Sequence, residues 1–461
     1  MHRSFRAPAL AAFVTLLAAT SAACGGAPSA PSPPLRLPLE VYDYTLPNGL
    51  RVILDEDRSA SVVAVNVWYK VGSKDDPPRR AGFAHLFEHI TFGPTRNAPR
   101  GVSVPVVDFG ATEVRGTTSL DRTEYHSTVP SSALEIVLWS EAERMATLSE
   151  DLSQLDFERE RAVVKNEYGQ NYGNVESGLV WAHVRRAFYG ADHPYGHLAI
   201  GSPDDLDRAT LKEVRAFHER YYKPSNAVLT LVGDFDRRNA AALIAQHFGK
   251  IPRGSDANPV RTHALAPWKG DRRATIEANV PRSRIIVSWP LPPFGAPEYP
   301  AIRVIARKLA HDMEWFLVEQ RHLAERVRWE LDDDLLGGAF HLNMTFREGA
   351  DVEETLRVLD HTIVELLPNW VGAINPALSD ELVGTILDFE GFQKRALIYA
   401  EHDDFTGNPL FTARRVEHIE RTTRAQVLAA RTRFFQSKPR LVTLVRPLVS
   451  APLAGRLVEV R

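Results

Sequence analysis

The feature that most restricts how this chain can fold is a repeat inside it. Thr210-Leu-Lys-Glu-Val-Arg-Ala-Phe-His-Glu-Arg-Tyr-Tyr222 returns 213 residues later as Thr423-Arg-Ala-Gln-Val-Leu-Ala-Ala-Arg-Thr-Arg-Phe-Phe435. At the same offset Leu229-Thr-Leu-Val232 matches Val442-Thr-Leu-Val445, so a helix followed by a strand closes each half. Self-similarity at a fixed spacing is the mark of a duplicated unit. Two similar domains are therefore expected, over 39–250 and 268–461, with a linker at 251–267. That linker opens on Ile251-Pro-Arg-Gly-Ser-Asp-Ala-Asn-Pro259, a stretch dense in turn formers.

Each half mixes strand and helix patterns. Residues 41–45 and 50–54 flank Pro47-Asn-Gly49, a hairpin turn signal, and 61–71 is another β-rich run. Helical patterns occupy 131–149, 155–168 and 210–222, and a strand is expected at 227–232. The class is α+β, in layers. The chain has 461 residues, 44% of them hydrophobic, enough for two sizeable cores. Its formal net charge of -3 gives no basic footprint for nucleic acid.

The chemistry concentrates in Arg80-Ala-Gly-Phe-Ala-His-Leu-Phe-Glu-His-Ile-Thr-Phe-Gly93, which carries His85, Glu88 and His89 in the order H-x-x-E-H. At about 100° per residue a helix gathers these three on one arc, while Phe83, Leu86, Phe87 and Ile90 form the opposite, apolar stripe. Gly82 and Gly93-Pro94 mark its ends. Two neutral imidazoles one turn apart suit zinc, which in hydrolytic sites takes three protein ligands. Glu160 and Glu167, seven apart on one face of the 155–168 helix, could each close the set. Glu88 is positioned to take a proton from water acidified by the metal.

Further segments carry a resemblance: FERERAVVKNE (157–167), GTTSLDRTEYHSTVP (116–130), HPYGHLAIGSPDDL (193–206) and YYKPSNAVLTLVGDFD (221–236). With GFAHLFEHITFG (82–93), they make the chain resemble the pitrilysin or insulinase metallopeptidases, the inverzincins, in their processing-peptidase-like branch. The resemblance implies one half of a pitrilysin-type clamshell. It makes His85, His89 and Glu167 the ligands of one zinc ion per chain, Glu88 the general base, and Glu160 the carboxylate that orients a ligand imidazole. It implies an endopeptidase acting on extended peptides. At the repeat offset the three motif residues correspond to Glu298, Ala301 and Ile302, so the second half is expected to hold no metal.

Chains of this kind pair, as a homodimer or as a heterodimer with a zinc-free homologous subunit. Active single-chain relatives carry an Arg and a Tyr in the second half that hold substrate; here 316–327 offers Arg321 and no Tyr, which implies a partner that supplies them. Arg115 stands where the family usually has Asn. With Thr117 it is expected on an edge strand that pairs with peptide. The alternative to an enzyme is a peptide-binding or scaffold subunit with little activity alone.

The first residues are read as a secretory signal over 1–23, with Arg3 and Arg6 before an apolar stretch. Ser21-Ala-Ala-Cys24 is similar to a bacterial lipobox, and Cys24 is the only cysteine, so no intramolecular disulfide can form. Lipidation of Cys24 and a Pro-rich tether over 24–38 would make a periplasmic lipoprotein anchored to the inner or outer membrane. His193 and Tyr195, in His193-Pro-Tyr-Gly196, are read as a turn.

Overall fold

The computed structural model describes residue 37 and residues 39–349, 351–366, 374–437 and 439–461. Cys24, the signal and all of the tether except residue 37 lie outside the described residues.

The Asn48-Gly49 turn, with Gly49 at φ +93°, folds β1 (Tyr42–Thr45) back on β2 (Arg51–Glu56) in antiparallel register from Tyr42↔Leu54 to Thr45↔Arg51. Strands β3 (Val62–Tyr69), β4 (Thr112–Thr118), β5 (Thr123–Pro130) and β6 (Ala227–Gly233) complete a sheet of order β1-β2-β6-β3-β5-β4. The second half builds β7 (Arg272–Ala278), β8 (Arg284–Pro290), β9 (Ala324–Asp332), β10 (Ala339–Phe346), β11 (Leu441–Pro447) and β12 (Arg456–Val460), in the order β12-β7-β11-β8-β10-β9. Five strands follow one plan in both sheets, with one parallel pair each, β2 with β6 and β7 with β11. The sixth strand is β1 in one sheet and β12 in the other.

Eight helices carry the argument. They are α1 (Phe83–Ile90), α2 (Leu134–Asp151), α3 (Gln154–Tyr168), α4 (Val180–Tyr189), α5 (Leu211–Tyr221), α6 (Tyr299–Glu314), α7 (Phe392–Thr406) and α8 (Arg424–Arg431). The repeat is visible in their caps. Thr210 accepts from the Glu213 amide to start α5, and Thr423 accepts from the Gln426 amide to start α8. Both are capping boxes at a helix N-terminus, in which the threonine oxygen takes the amide three residues on and that residue's side chain takes the threonine amide.

β3 shows how the first half is layered. Val63, Val65, Val67 and Tyr69 join a core with Phe83, Phe87, Val137 and Phe217, from α1, α2 and α5. Alternate residues Ala64 and Trp68 point to the other face, where they meet Ala396, Tyr399 and Ala400 of α7. That helix belongs to the second half of the chain. The exchange is mutual: Val180 and Val184 of α4 pack on Ile276, Ile286 and Val445 of the second sheet. The residues of α4 and α7 correspond at the 213-residue repeat offset. The tandem picture from sequence therefore needs an addition, because each sheet has one face covered by the other half.

Polar contacts fix this exchange. On α7, Tyr399 donates to Asp55 Oδ2 at 3.0 Å, Arg395 pairs with Asp57 at 2.6 Å, and Trp68 Nε1 donates to Asp404 at 2.9 Å. On α4, Arg185 pairs with Asp332 at 3.1 Å. Between Phe248 and Arg272 the chain crosses without strand or helix, and the Val260 amide donates to Asp75 Oδ1 at 2.7 Å.

An uncompensated charge in this dry contact should be felt by both halves. Ala400→Asp is expected to destabilise the protein by about 3 kcal/mol or more, seen by calorimetry as a downward shift of one cooperative transition. Two transitions with only one of them shifted would show that the halves fold independently.

Candidate metal centre

Helix α1 is held at both ends and along one face. Asp76 accepts from the amides of Gly82 and Ala84, both at 2.8 Å, and so caps the first turn. Gly82 and Gly201 lie back to back: a Cβ on Gly82 would stand 2.5 Å from the Ile200 carbonyl oxygen, and one on Gly201 would stand 1.9 Å from that of Ala81. At the other end Arg144 Nη1 donates to the Thr91 carbonyl at 2.8 Å, with its guanidinium 4.4 Å from the centre of the Tyr125 ring. Phe83 meets Phe217 edge-on at 5.2 Å, and Phe87 lies 4.1 Å from Tyr222. The apolar stripe expected from sequence is buried at all four positions.

The opposite arc meets α3. His89 Nε2 lies 3.2 Å and His85 Nε2 3.9 Å from Glu167 Oε2, and one donor atom from each residue falls within 4.8 Å of the others. Among the described residues no other cluster of three His, Cys, Asp or Glu has this geometry. Burial, with a smaller electrostatic contribution from His89, pushes the His85 pKa down to about 4, which keeps that imidazole neutral as a ligand must be. Two imidazoles and a carboxylate are the donor set of hydrolytic zinc sites, so the residues present fit zinc.

Glu88 is nearly buried beside this cluster. Desolvation pushes its pKa up to about 7, aided by Glu167 and Glu124 and opposed by a hydrogen bond from Thr118. Thr118 Oγ1 donates to Glu88 Oε2 at 2.7 Å. The other oxygen faces β4 at Gly116, where an added Cβ would stand 2.9 Å from Oε1. Thr118 and Gly116 thus position the Glu88 carboxylate. Sequence reasoning had the segment but gave these two residues no role; the signal available was a Gly and a Thr two apart, which share one face of a strand.

The remaining sequence candidates fall as follows. Glu160 lies on α3 and accepts from Arg159 Nε at 3.1 Å, while His85 Nδ1 is buried without a hydrogen-bond partner. Arg115 and Thr117 are exposed on β4, an edge of its sheet. Thr117 donates to Glu124 at 2.8 Å, on the sheet face away from α1. Arg321 sits in the second half, paired with Glu354 at 2.8 Å. His193 Nδ1 accepts from the Tyr195 amide, a turn bond. The Tyr195 hydroxyl does more, donating to Asp121 at 2.6 Å and accepting from the Leu336 amide, so the turn also joins the halves. Ala301 and Ile302 are core residues of α6, and the second half has no counterpart of the cluster among its described residues.

Two duplicated helix-and-sheet units, one of them with a His₂Glu cluster beside a buried carboxylate, define a metallopeptidase-like half-clamshell. The chain belongs to the insulinase family, peptidase family M16: residues 51–198 match its model "Insulinase (Peptidase family M16)" and 208–369 match "Peptidase M16 inactive domain". It is 30% identical over 352 residues to the zinc protease PqqE of Helicobacter pylori, covering 73% of this chain and 76% of that protein. A protease from Helicobacter pylori of known structure superposes with a TM-score of 0.80 at 22% identity, over 88% of this chain and all of the other. The periplasmic protease PqqL from Escherichia coli superposes with a TM-score of 0.74 at 17% identity, over 90% of this chain but 48% of that one.

The cluster should bind zinc without help from the second half's side chains. Dialysed against zinc, the full chain is expected to retain about one ion, measured by elemental mass spectrometry. His89→Ala and Glu167→Ala should lose it, whereas Gly116→Ala, which crowds Glu88 and Phe92 but none of the three cluster residues, should keep it. Full zinc in Glu167→Ala would exclude Glu167 as the third ligand.

Proposed function

We propose that this chain is a zinc-dependent endopeptidase of the bacterial cell envelope that hydrolyses extended or unfolded peptides, with Glu88 as general base. The observation that carries the reading is the convergence of His85, His89 and Glu167 next to a carboxylate that is desolvated and held through only one oxygen. When bound, zinc supplies Lewis acidity toward the scissile carbonyl and toward water. Glu88 Oε1 takes a proton from the attacking water and returns it to the leaving amine; Thr118 keeps Oε2 engaged meanwhile. Burial, by raising the pKa of Glu88, makes it a stronger base than a solvated carboxylate, so the proton is held long enough to be handed on.

The peptide docks on the free edge of β4, beside Gly116, through main-chain hydrogen bonds. Glu160, two turns from Glu167 on one face of α3, is the carboxylate available to the unpartnered His85 Nδ1. Among its described residues the second half has no counterpart of the cluster and Arg321 is paired with Glu354, so a second chain, the same or a zinc-free homologue, completes the substrate chamber. The envelope location and lipid anchor rest on residues 1–38 and Cys24.

Incubated with unstructured peptides, the zinc-loaded full chain should give fragments detected by mass spectrometry. Glu88→Gln should retain zinc and lose cleavage by about 10²–10⁴-fold. Unchanged cleavage in that variant would remove Glu88 from the mechanism. Glu160→Gln should weaken zinc binding by about 10–100-fold in a chelator competition; an unaltered affinity would deny it that supporting role.

A further inference from the structure

Strand β4 is two-sided in a way that separates chemistry from selection. Thr118 touches Glu88, and a side chain at Gly116 would do so; alternation turns Arg115 and Thr117 to the opposite face. A bulge interrupts the register between Thr112 and Arg115, with Glu113 at φ +56°. Regular pairing with β5 resumes at Arg115↔His126 and runs to Thr118↔Thr123, alongside Glu88. Bulges of this kind re-aim side chains next to active sites.

The charges on Arg115's face do not cancel it. Glu124, the buried carboxylate there, already accepts from Asn66, from Thr117 Oγ1 at 2.8 Å and from His126 Nδ1 at 3.1 Å. Against burial, the His126 hydrogen bond, the Arg122 charge and the Thr117 hydrogen bond hold its pKa below the usual value, so it is an anion with its hydrogen-bonding capacity largely used. Arg122 adds a second cation, donating to Thr117 Oγ1 at 3.0 Å with its guanidinium 5.0 Å from the Trp68 ring centre. Glu113 is exposed two residues away and makes no ion pair with Arg115. Arg115 is exposed on a free sheet edge, and among the described residues it has no hydrogen bond or ion pair.

We propose that Arg115 selects peptides carrying an acidic side chain at the position paired with it, one or two residues from the bond presented to Glu88. The inference rests on the reading that peptide adds to β4 as a strand. In such a pair, directly opposed residues share a face with Cβ atoms about 5 Å apart. An Asp or Glu opposite Arg115 gains the countercharge that the fold withholds. A Lys there meets Arg115 and Arg122 together. Preferred substrates are extended segments with an acidic residue next to the cleaved bond.

The test uses the full zinc-loaded chain and fluorescent unstructured peptides, identical except for one Glu, Gln or Lys moved through the central positions. Cleavage is read with the wild type, and binding by fluorescence polarisation with Glu88→Gln. The Glu peptide should exceed its Gln counterpart by about fivefold in one register only, and the ratio should shrink as salt is raised. Arg115→Asn should bring the ratio near one, and Arg115→Glu should turn it toward Lys. The same ratio in wild type and both variants, or no preference in the wild type, overturns the inference; so does a failure of all peptides to bind. Selective binding without cleavage would sink the peptidase reading and leave the role of Arg115 standing. Cleavage without selectivity would do the reverse.

Discussion

A sheet with apolar residues on both faces must be covered on both, and each half of this chain covers only one face of its own. Ile53, Ala64, Trp68, Val228 and Val232 face outward from the first half's helix layer and are buried by α7. Ile276, Ala278, Ile286 and Val445 are buried in the second sheet by α4. At about 25 cal/mol per Å² of apolar surface, leaving such a face in water would cost more than a domain's net stability. The mutual cover joins the two duplicated halves across both sheets.

Helix α1 is held from within its own half. α1 is short, and a helix of eight residues has little stability of its own in water. It persists because Asp76 caps its first turn, Gly82 and Gly201 allow two backbones to touch, and Arg144 holds its last turn. α3, which brings Glu167, runs on through a loop that docks on the second half: the Ser177 amide donates to the Leu453 carbonyl and the Leu179 amide to that of Ala454. The second half thus fixes the segment that follows Glu167, while among its described residues it has no counterpart of the His85, His89, Glu167 cluster. Its counterpart helix α6 carries Ala301 and Ile302 where α1 carries Glu88 and His89, and that substitution turns a site into a core.

Within the site one physical device serves two ends. Desolvation keeps His85 neutral, fit to bind a cation, and makes Glu88 basic, fit to move a proton. Thr118 moderates the second effect with one hydrogen bond, and Gly116 leaves space for the other oxygen. The edge strand that does this on one face displays Arg115 on the other.

Much of this was legible in the residues alone. The 213-residue repeat specified two similar units, the H-x-x-E-H spacing placed three groups on one arc, and the strict period of Phe83, Leu86, Phe87 and Ile90 set which arc faced inward. Glu160 and Glu167 had equal claims by periodicity. A resemblance, not geometry, favoured Glu167, and the fold brings that one to the imidazoles. Such properties are legible because they repeat at the local period of a helix or strand, which the sequence carries directly. What only tertiary structure decided is long-range: that α7 and α4 cross to the opposite sheets, that Tyr195 and Asp121 tie the halves by accepting from the Leu336 and Leu335 amides, and that Gly116 and Thr118 meet Glu88 across about thirty residues. Contacts of that kind depend on how the sheets close over one another, and no local period records them.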